Sequence, residues 1–375
     1  MRRCWVEIHL SELEHNLQCI RSMVPSHVKI ISVVKADAYG HGIHATVARL
    51  MQSGTDIFAV ANVQEGASIR EMGSGWPILT LSPLLPEEIS ACIENNITPT
   101  ISTYQEAEAI NKVASIKKSP IQCHFKIDTG MGRLGIWYEQ ALEEYIKISK
   151  LHYIRIQGIY THFATSDSDI QYTHKQRELF LSIIDHLPNL PKDCIFHADN
   201  SAGLDSFSPE GGRLFNAVRI GLLQFGAQAR ENSLLQFYNP KPTLSFHTRI
   251  GLIKKVPPGT PISYNLTHRV DHETTLAIIT AGYADGIPLS ISNRGSVLIQ
   301  GKKCRILGRV TMDQIIVDVD HLNNPQCGDE VVLIGQQGKE KITLEEFSKN
   351  AQSIPWEILC SISKRVERIY KTVRQ

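Results

Sequence analysis

Charged and polar side chains stand where five apolar runs of the sequence end, and their types could support chemistry on a small substrate. Each run is short enough to be a buried strand, and each is followed by residues that can donate, accept or carry a proton. A single lysine or arginine at a strand end usually just reaches water. Five such ends on one face of a sheet indicate a site, and they carry Lys35, Lys126, His162, Asn200 with Ser201, and Arg219.

Lys35, in the stretch KIISVVKADAYGHG, has the surroundings of a lysine that forms a Schiff base. An amine at the end of a buried strand loses part of its hydration, so its pKa falls and it becomes a better nucleophile and base. Gly221 and Leu222 can offer backbone N–H groups to an anion, with Tyr39 and Ser201 as hydroxyl donors. A Schiff-base lysine beside a phosphate site predicts pyridoxal 5'-phosphate as the cofactor.

Short apolar runs alternate with amphipathic stretches over the first two-thirds of the chain. This alternation predicts an α/β fold, a (β/α)8 TIM-type barrel, although a doubly wound open sheet would give the same pattern. The predicted strands are Lys29–Val34, Asp56–Ala61, Ile78–Leu81, Thr98–Ile101, Ile121–Ile127, Ile154–Tyr160, Cys194–His197 and Ala217–Ile220. In a barrel, the polar strand ends would converge at one mouth.

The pattern changes near residues 239–242, after which strand-like runs and turn signals predominate. They predict a mainly β C-terminal domain with strands near Thr243–Val256, Thr275–Ala281, Ser296–Gln300, Lys303–Arg309, Ile315–Val319 and Glu330–Gly335. Thr343 is a predicted N-cap of a short helix, since Glu346 follows three residues later. We expect a barrel domain over residues 8–235 and a β domain over residues 236–375, which residues 1–7 would join.

Composition limits the classes of protein that the chain can belong to. Of its 375 residues 42% are hydrophobic and 21% are charged, which is typical of a packed globular protein. The formal net charge is only +1, so no general attraction to nucleic acid or to an anionic membrane is expected. No apolar run is long enough for a transmembrane helix, and early glutamates argue against a signal peptide, so we expect a cytoplasmic protein. The eight scattered cysteines predict reduced thiols, with no metal site or disulfide framework.

Eight motifs occur in order along the chain: SVVKADAYGHG, KIDTGMGRLG, YTHFATSD, HADNSA, VRIGL, PISYN, AGYADG and LGRVTMDQ. This ordered set resembles the motifs of bacterial alanine racemases. The matches run from Lys35 to Gln314, and SISKRVERIY extends them almost to the C-terminus. Because they cover both predicted domains, the resemblance is specific.

The resemblance implies a homodimer that racemises L- and D-alanine by a two-base mechanism and supplies D-alanine for peptidoglycan. Lys35 would hold the cofactor and act as one base, and Tyr264 from the partner subunit would be the second base in a composite active site. Two bases on opposite faces of the substrate would remove and return the α-proton without moving the intermediate. Tyrosine has an ordinary pKa of about 10, so a hydrogen-bond chain of Arg219, His162 and Tyr264 would help it act as a base.

The other implied roles concern the cofactor and the small amino-acid substrate. Arg219 would face the pyridine nitrogen and, because it stays protonated, would keep that nitrogen unprotonated. Arg133 would approach the substrate carboxylate, and Lys126 matches a lysine that is carbamylated in many members. The remaining residues would cradle the phosphate (Tyr39, Ser201, Gly221, Leu222), lie along the cofactor ring (His162, Asn200), bind substrate from the partner (Met312, Asp313) or line the entrance (Tyr283, Arg309).

Trp356 departs from the family pattern, in which a tyrosine precedes the glutamate that is Glu357 here. A tyrosine would donate its hydroxyl to the phosphate, whereas the bulkier tryptophan can donate only its indole N–H. The cofactor contact and the choice of substrate are both open at this position. Asp199 also stands where a small residue is common, and its carboxylate would be unfavourable if it faced the phosphate.

Three other functions remain open from the sequence. A racemase of serine, lysine or another amino acid would share the motifs. A barrel-type decarboxylase would share the cofactor and both domains but would not need Tyr264 as an opposing base. A non-catalytic cofactor-binding barrel would not need the residues after 239, and a NAD-dependent enzyme is unsupported because no G-x-G-x-x-G follows the first predicted strand.

Overall fold

A computed structural model describes residues 2–73, 75–206, 215–227 and 240–372. Up to residue 227 the strands are β1 (Cys4–His9), β2 (Lys29–Val33), β3 (Ile57–Val60), β4 (Ile78–Thr80), β5 (Thr100–Ile101), β6 (Ile121–Asp128), β7 (Ile136–Trp137), β8 (Ile154–Tyr160), β9 (Ile195–His197) and β10 (Ala217–Ile220). The helical segments between them are α1 (Leu10–Met23), α2 (Lys35–Tyr39), α3 (Ile43–Gln52), α4 (Val63–Met72), α5 (Ile89–Glu94), α6 (Tyr104–Ile116), α7 (Ala141–Ile148) and α8 (Ile170–His186).

Eight of these strands form a parallel barrel, in the order β4, β3, β2, β10, β9, β8, β6, β5. The first and last barrel strands are neighbours, since β2 pairs in parallel with β10. At the remaining gap, the Thr98 N–H donates to the Ile78 carbonyl at 2.8 Å, and the Thr80 N–H donates to the Thr98 carbonyl at 2.9 Å. The predicted (β/α)8 barrel is therefore confirmed, and the open-sheet alternative is wrong.

The predicted barrel strands agree with the observed ones to within two residues at each end. The largest difference is at β5, which begins at Thr100 rather than at Thr98. Thr98 lies outside the strand because its backbone groups bond to β4 and close the barrel. The helix α1 was not predicted, although Leu10, Leu13, Leu17 and Ile20 are buried along one face of it at helical spacing.

The C-terminal part is mainly β, as predicted. Its strands are β11 (Leu244–Val256), β12 (Pro261–Ile262), β13 (His268–Arg269), β14 (Thr274–Ile279), β15 (Ser296–Ile299), β16 (Lys302–Arg305), β17 (Ile315–Asp318), β18 (Glu330–Gln337), β19 (Glu340–Ile342) and β20 (Glu367–Lys371). Two helices, α9 (Leu344–Asn350) and α10 (Pro355–Ser361), precede β20. The Thr343 hydroxyl accepts from the Glu346 N–H, so the predicted N-cap is confirmed.

The first strand of the chain belongs to the C-terminal sheet and not to the barrel. β1 pairs antiparallel with β11 and parallel with β20, between the two. The predicted boundary between residues 235 and 236 lies outside the described residues and stays a prediction. In the described ranges, no helix combines the length and the apolar character needed to cross a bilayer.

Candidate active site

A cavity of about 550 Å³ opens at the carboxyl ends of the barrel strands. Polar strand ends that are far apart in sequence meet here, as the barrel geometry requires. The cavity brings together eleven of the predicted site residues: Lys35, Tyr39, Lys126, Arg133, His162, Asn200, Ser201, Arg219, Gly221, Leu222 and Trp356.

The segment α2 places Lys35 and Tyr39 on the cavity by an unusual backbone. Residues 36–39 all have φ near +54°, and ψ is near +50° for 36–38, so this turn is left-handed. A left-handed conformation costs roughly 1–2 kcal/mol for each residue with a Cβ. Such local strain persists only where surrounding contacts fix it, and it is concentrated at functional sites.

Contacts from three other segments hold this turn in place. The Ala36 N–H donates to the Glu65 carboxylate at 2.7 Å, and the Ile43 N–H donates to Asp37 Oδ1 at 2.8 Å. Gly40 packs so closely on α10 that a Cβ there would overlap the Leu359 carbonyl oxygen. The strain of the turn is thus offset by contacts with helices α3, α4 and α10.

The Lys35 amine lies in a setting that favours its neutral form. Burial lowers its pKa below the ordinary lysine value, and the positive charge of Arg133 lowers it further. The opposing effect of Glu65 is smaller. A lysine with a lowered pKa is the kind of nucleophile that forms a Schiff base at neutral pH.

Lys126 is the more strongly perturbed lysine, with 4% of its surface exposed. Burial lowers its pKa to about 7, with further contributions from Arg219 and Arg133. Its ammonium lies 5.2 Å from the centre of the Tyr160 ring. A large fraction of this lysine is therefore neutral at physiological pH.

Replacement of Lys126 by methionine is expected to stabilise the cofactor-free protein at neutral pH. An unfolded lysine titrates near pH 10.4, so between pH 7 and 10 the unfolded chain binds more protons than the folded one. The stability of the wild type should therefore rise with pH. Methionine has no charge to desolvate, so Lys126→Met should raise the free energy of unfolding by on the order of 3 kcal/mol at pH 6.5. Urea unfolding at pH 6.5, 8 and 9.5 would measure the difference.

This difference should shrink as the pH approaches 10, because the folded lysine is then neutral and the unfolded lysine also begins to lose its proton. A difference that stays constant over the whole pH range would contradict the lowered pKa of Lys126. Exposed Lys29, at the start of β2, provides the control, and Lys29→Met should show no comparable change with pH.

Arg219 is the most highly connected cation of the site, and it is 3% exposed. The two N–H groups of its Nη2 are shared by three acceptors: the carbonyls of Thr161 and Ala198, 2.9 and 2.8 Å away, and His162 Nδ1, 2.9 Å away. Its Nη1 donates to His197 Nδ1 at 2.7 Å. Burial lowers its pKa to about 10, so Arg219 remains charged at neutral pH. The hydrogen bonds fix the orientation of its guanidinium group.

Other residues of the cavity have the donors that a phosphate group needs. Ser201 Oγ accepts from the backbone N–H groups of Gly221 and Leu223 at 3.0 and 3.4 Å, so its own proton is free to donate. Gly221 also allows a close approach, since a Cβ there would lie 2.7 Å from the Tyr39 hydroxyl. Asn200 shapes the same loop because its side-chain oxygen accepts from the Ala202 and Gly203 N–H groups.

Trp356 and Asp199, the two departures from the family pattern, have different surroundings. Trp356, in the first turn of α10, lines the cavity. The fully buried Asp199 does not line the cavity and pairs instead with Arg177, 2.7 Å away. Its carboxylate therefore pairs with an arginine that is also outside the cavity lining.

Five predicted site residues do not line the cavity of the single chain, and one of them, Arg309, is half-buried. Tyr264, Met312 and Tyr283 are 68%, 53% and 46% exposed, and Asp313 is also exposed. Met312 and Tyr283 belong to adjacent loops, since the N–H groups of Tyr283 and Ala284 donate to the Thr311 and Met312 carbonyls. These residues form an exposed surface of the C-terminal part, where a second molecule could reach them.

An ion-pair network fixes the geometry of this surface. The Asp285 carboxylate accepts from the Gly282 N–H and receives Arg365 Nε and Nη2 at 2.7 and 2.8 Å. The Nη1 of the same arginine lies 2.9 Å from Asp313 Oδ1. Arg365 thereby links the loop that carries Tyr283 to the loop that carries Met312 and Asp313.

Sequence reasoning missed three side chains at the cavity: Tyr160, which lines it, and His124 and His197, which lie behind the lining. All three are buried in the barrel, and Tyr160 stacks on His197 with ring centres 4.5 Å apart. A signal was present at His124, which lies two residues before Lys126 on β6 and therefore on the same face of the strand.

The cavity suits pyridoxal phosphate on the chemistry of its side chains. A lysine with a lowered pKa, a serine hydroxyl, a close-approach glycine and a buried arginine lie on one lining, which is typical of a barrel enzyme that binds an anionic cofactor. Two family models match the chain: "Alanine racemase, N-terminal domain" over residues 8–229 and "Alanine racemase, C-terminal domain" over residues 243–370. The chain belongs to the alanine racemase family, and it is an enzyme of the isomerase class.

Individual relatives cover nearly the whole chain. It is 40% identical to an alanine racemase of Halothermothrix orenii over 372 residues, which are 99% of this chain and 97% of that protein. The structure of alanine racemase from Bacillus anthracis with bound L-Ala-P superposes with a TM-score of 0.90 at 34% identity, covering 99% of this chain and 95% of that one. The enzyme from Bartonella henselae with covalently bound pyridoxal phosphate gives 0.89 at 28% identity, covering 99% and 100%.

Proposed function

We propose that this protein interconverts L- and D-alanine with pyridoxal 5'-phosphate in the barrel cavity. The observation that carries the proposal is the amine of Lys35, whose pKa is lowered, in a cavity that also holds Arg219 and the Ser201 hydroxyl. When bound, the cofactor withdraws the electron pair that is left when the α-proton of the substrate is removed.

Different residues of the cavity would contact different parts of the cofactor. Lys35 would hold the cofactor covalently, and Tyr39, Ser201 and the Leu222 N–H would donate to its phosphate. Trp356 would close the same side with its indole. Arg219 would face the ring nitrogen and, because it cannot accept a proton there, would keep that nitrogen unprotonated.

Arg133 is available for the carboxylate of the substrate. Within the described part of the chain, its guanidinium has no hydrogen-bond partner, although it lines the cavity. A free guanidinium binds a carboxylate through two parallel hydrogen bonds. Arg133 would therefore orient the substrate so that its Cα–H bond is exposed to a base on either face.

Proton transfer needs a second base opposite Lys35, and we assign it to Tyr264 of the partner subunit. The exposed surface of Tyr264, Tyr283, Met312 and Asp313 supports this role, since these side chains are available to a second copy. The active enzyme is then a homodimer with composite active sites. The Arg365 network would hold Met312 and Asp313 at fixed positions relative to the cavity of the partner subunit.

His162 is oriented to assist this tyrosine. Arg219 can only donate, so His162 accepts at Nδ1 and carries its proton on Nε2. Burial, followed by the charge of Arg219, holds the pKa of His162 well below its usual range, which keeps the ring neutral. A neutral Nε2–H beside the phenolic oxygen would stabilise the deprotonated tyrosine, the form that accepts the α-proton.

We further assign a carbamate to Lys126. Only a neutral amine adds to carbon dioxide, and the lowered pKa of this lysine supplies one at pH 7. The resulting anion would lie near Arg133 and Arg219, where it replaces repulsion between cations by attraction. Dissolved bicarbonate should then stabilise the wild type but not Lys126→Met.

The product would serve peptidoglycan synthesis in the cytoplasm. All eight cysteines are free thiols, which is the usual state in a reducing compartment. D-Alanine is the product that distinguishes a racemase from an enzyme that only degrades L-alanine.

A chiral time course tests the proposed function. Purified protein with pyridoxal phosphate is incubated separately with L-alanine, L-serine, L-lysine and L-glutamate, and the enantiomers are separated. Rapid approach to equal amounts of L- and D-alanine is the expected result. Faster racemisation of another amino acid would reassign the substrate, with Trp356 as the first residue to mutate, and release of carbon dioxide without racemisation would indicate a decarboxylase.

A further inference from the structure

Two buried histidines continue the hydrogen-bond chain of Arg219 into the interior of the barrel. Arg219 Nη1 donates to His197 Nδ1 at 2.7 Å, and His197 Nε2 lies 2.8 Å from His124 Nδ1. His197 and His124 are 0% and 2% exposed, and neither lines the cavity. They therefore lie behind the cavity wall, beyond the reach of cofactor or substrate.

The direction of each hydrogen bond in this chain follows from Arg219. A guanidinium has donors and no acceptor, so His197 must accept at Nδ1 and must carry its proton on Nε2. His197 then donates from Nε2, so His124 accepts at Nδ1 and carries its own proton on Nε2. Burial lowers the pKa of both rings, that of His124 to about 3, so both are neutral.

The positions of the two rings are fixed by packing. Tyr160 stacks on His197 with an angle of 9° between the ring planes. Gly158, on the strand next to His124, leaves room for the His124 ring, since a Cβ there would lie 2.5–2.7 Å from three ring atoms. These contacts hold the planes of both rings in place.

His197 is the partner that Nη1 of Arg219 depends on. In the part of the chain that the structure describes, no other acceptor bonds to Nη1, whereas Nη2 bonds to two carbonyls and to His162. If the acceptor at His197 were lost, the guanidinium would gain by rotating toward another acceptor. Such a rotation would also move Nη2, and with it the hydrogen bond that sets the tautomer of His162.

We propose that His124 and His197 are positioning residues: they fix the rotation of Arg219 and, through it, the Nε2–H tautomer of His162. This inference deepens the proposed function and rests on it for its effect on catalysis. The pair acts at a distance from the reacting atoms, so it should affect the rate of proton transfer more than the binding of alanine.

Paired variants separate the acceptor from the ring. In His197→Asn, the amide oxygen can take the place of Nδ1 and accept from Arg219, whereas His197→Phe keeps a ring but has no acceptor. We expect His197→Phe to lower kcat for L-alanine by about 10²-fold with KM changed by less than about 3-fold. His197→Asn should recover kcat to within about 10-fold of the wild type. Equal kcat values for the two variants would overturn the proposal.

His124 provides the second pair and is one residue further from the cavity. His124→Asn keeps an acceptor for His197 Nε2–H and should retain most of the wild-type kcat. His124→Phe should lower kcat by about 10-fold with little change in KM. If His197→Phe does not fold, the two His124 variants alone test the proposal. A drop of kcat in both of them, or in neither, would contradict the positioning role of the histidines.

A spectroscopic measurement on the cofactor-free protein is independent of activity. Nitrogen-15 shifts of the histidine side chains report which ring nitrogen carries the proton, with peaks assigned by their loss in single variants. The wild type should show Nε2–H forms for His124, His162 and His197, and His197→Phe should give mixed forms for His162. An Nδ1–H form at His197 in the wild type would refute this positioning role, whereas a wild type that lacks racemase activity would refute only the proposed function.

Discussion

Replacement of Lys35 by alanine is expected to abolish racemisation, with a loss of at least about 10³-fold in kcat. The change removes the amine that holds the cofactor and also one of the two proposed bases. The left-handed turn does not require this side chain, since its hydrogen bonds come from backbone groups and from Glu65 and Asp37. The fold should therefore survive, which circular dichroism would verify.

Two measurements follow the Lys35 variant. The visible absorbance of the covalently held cofactor should disappear, and borohydride treatment of the wild type should add the cofactor mass to the peptide that contains residue 35. Lys29→Ala, at the exposed start of the same strand, is the matched control and should keep both signals. Retention of the absorbance in Lys35→Ala would mean that another lysine, with Lys126 as the nearest candidate, holds the cofactor.

Replacement of Tyr264 by phenylalanine is expected to lower kcat by about 10²–10⁴-fold, the range for the loss of a general acid–base group. Only a hydroxyl is removed, from a side chain that is mostly exposed in the single chain, so stability should hardly change. Cofactor absorbance should also persist, because Lys35 is intact. Tyr104→Phe, on the outer helix α6, removes a comparable hydroxyl and should leave kcat unchanged.

Mixing the two inactive variants tests whether the sites are composite. A hybrid dimer of Lys35→Ala and Tyr264→Phe would contain one site with both changes and one site with neither. With random exchange of subunits, activity should recover to about a quarter of the wild type. If subunit exchange is demonstrated by mass and activity does not recover, Lys35 and Tyr264 do not act in a shared site.

The barrel could be predicted from the sequence because its strands are apolar runs that end at polar or turn-forming residues. Lys126 and Arg219 stand near strand ends, and parallel strands bring such ends to one mouth. The cavity residues at or just after strand ends were found for the same reason, whereas Arg133 and Trp356 came from the family resemblance. The residues behind them were missed, because His124 and His197 lie within strands that read as buried, and a sequence does not say whether a buried histidine has a partner.

Other features depend on contacts that a sequence does not display. The left-handed turn at residues 36–39 contains no glycine, so it has no local signal and is held by Glu65, Asp37 and α10. Asp199 could be placed near the phosphate loop, but its partner Arg177 lies on α8. No local pattern supports the prediction that residues 1–7 join the C-terminal part, because β1 pairs with strands that are far from it along the chain.

The pairing of β1 with β11 and β20 has a consequence for synthesis on the ribosome. β1 is made well before its two neighbours, which begin at residues 244 and 367. At a synthesis rate of roughly 5–20 residues per second, the apolar face and the backbone groups of β1 stay unpaired for on the order of half a minute. Unpaired strands are sites of wrong association between nascent chains, and here the five residues of β20 complete the protection of the first strand.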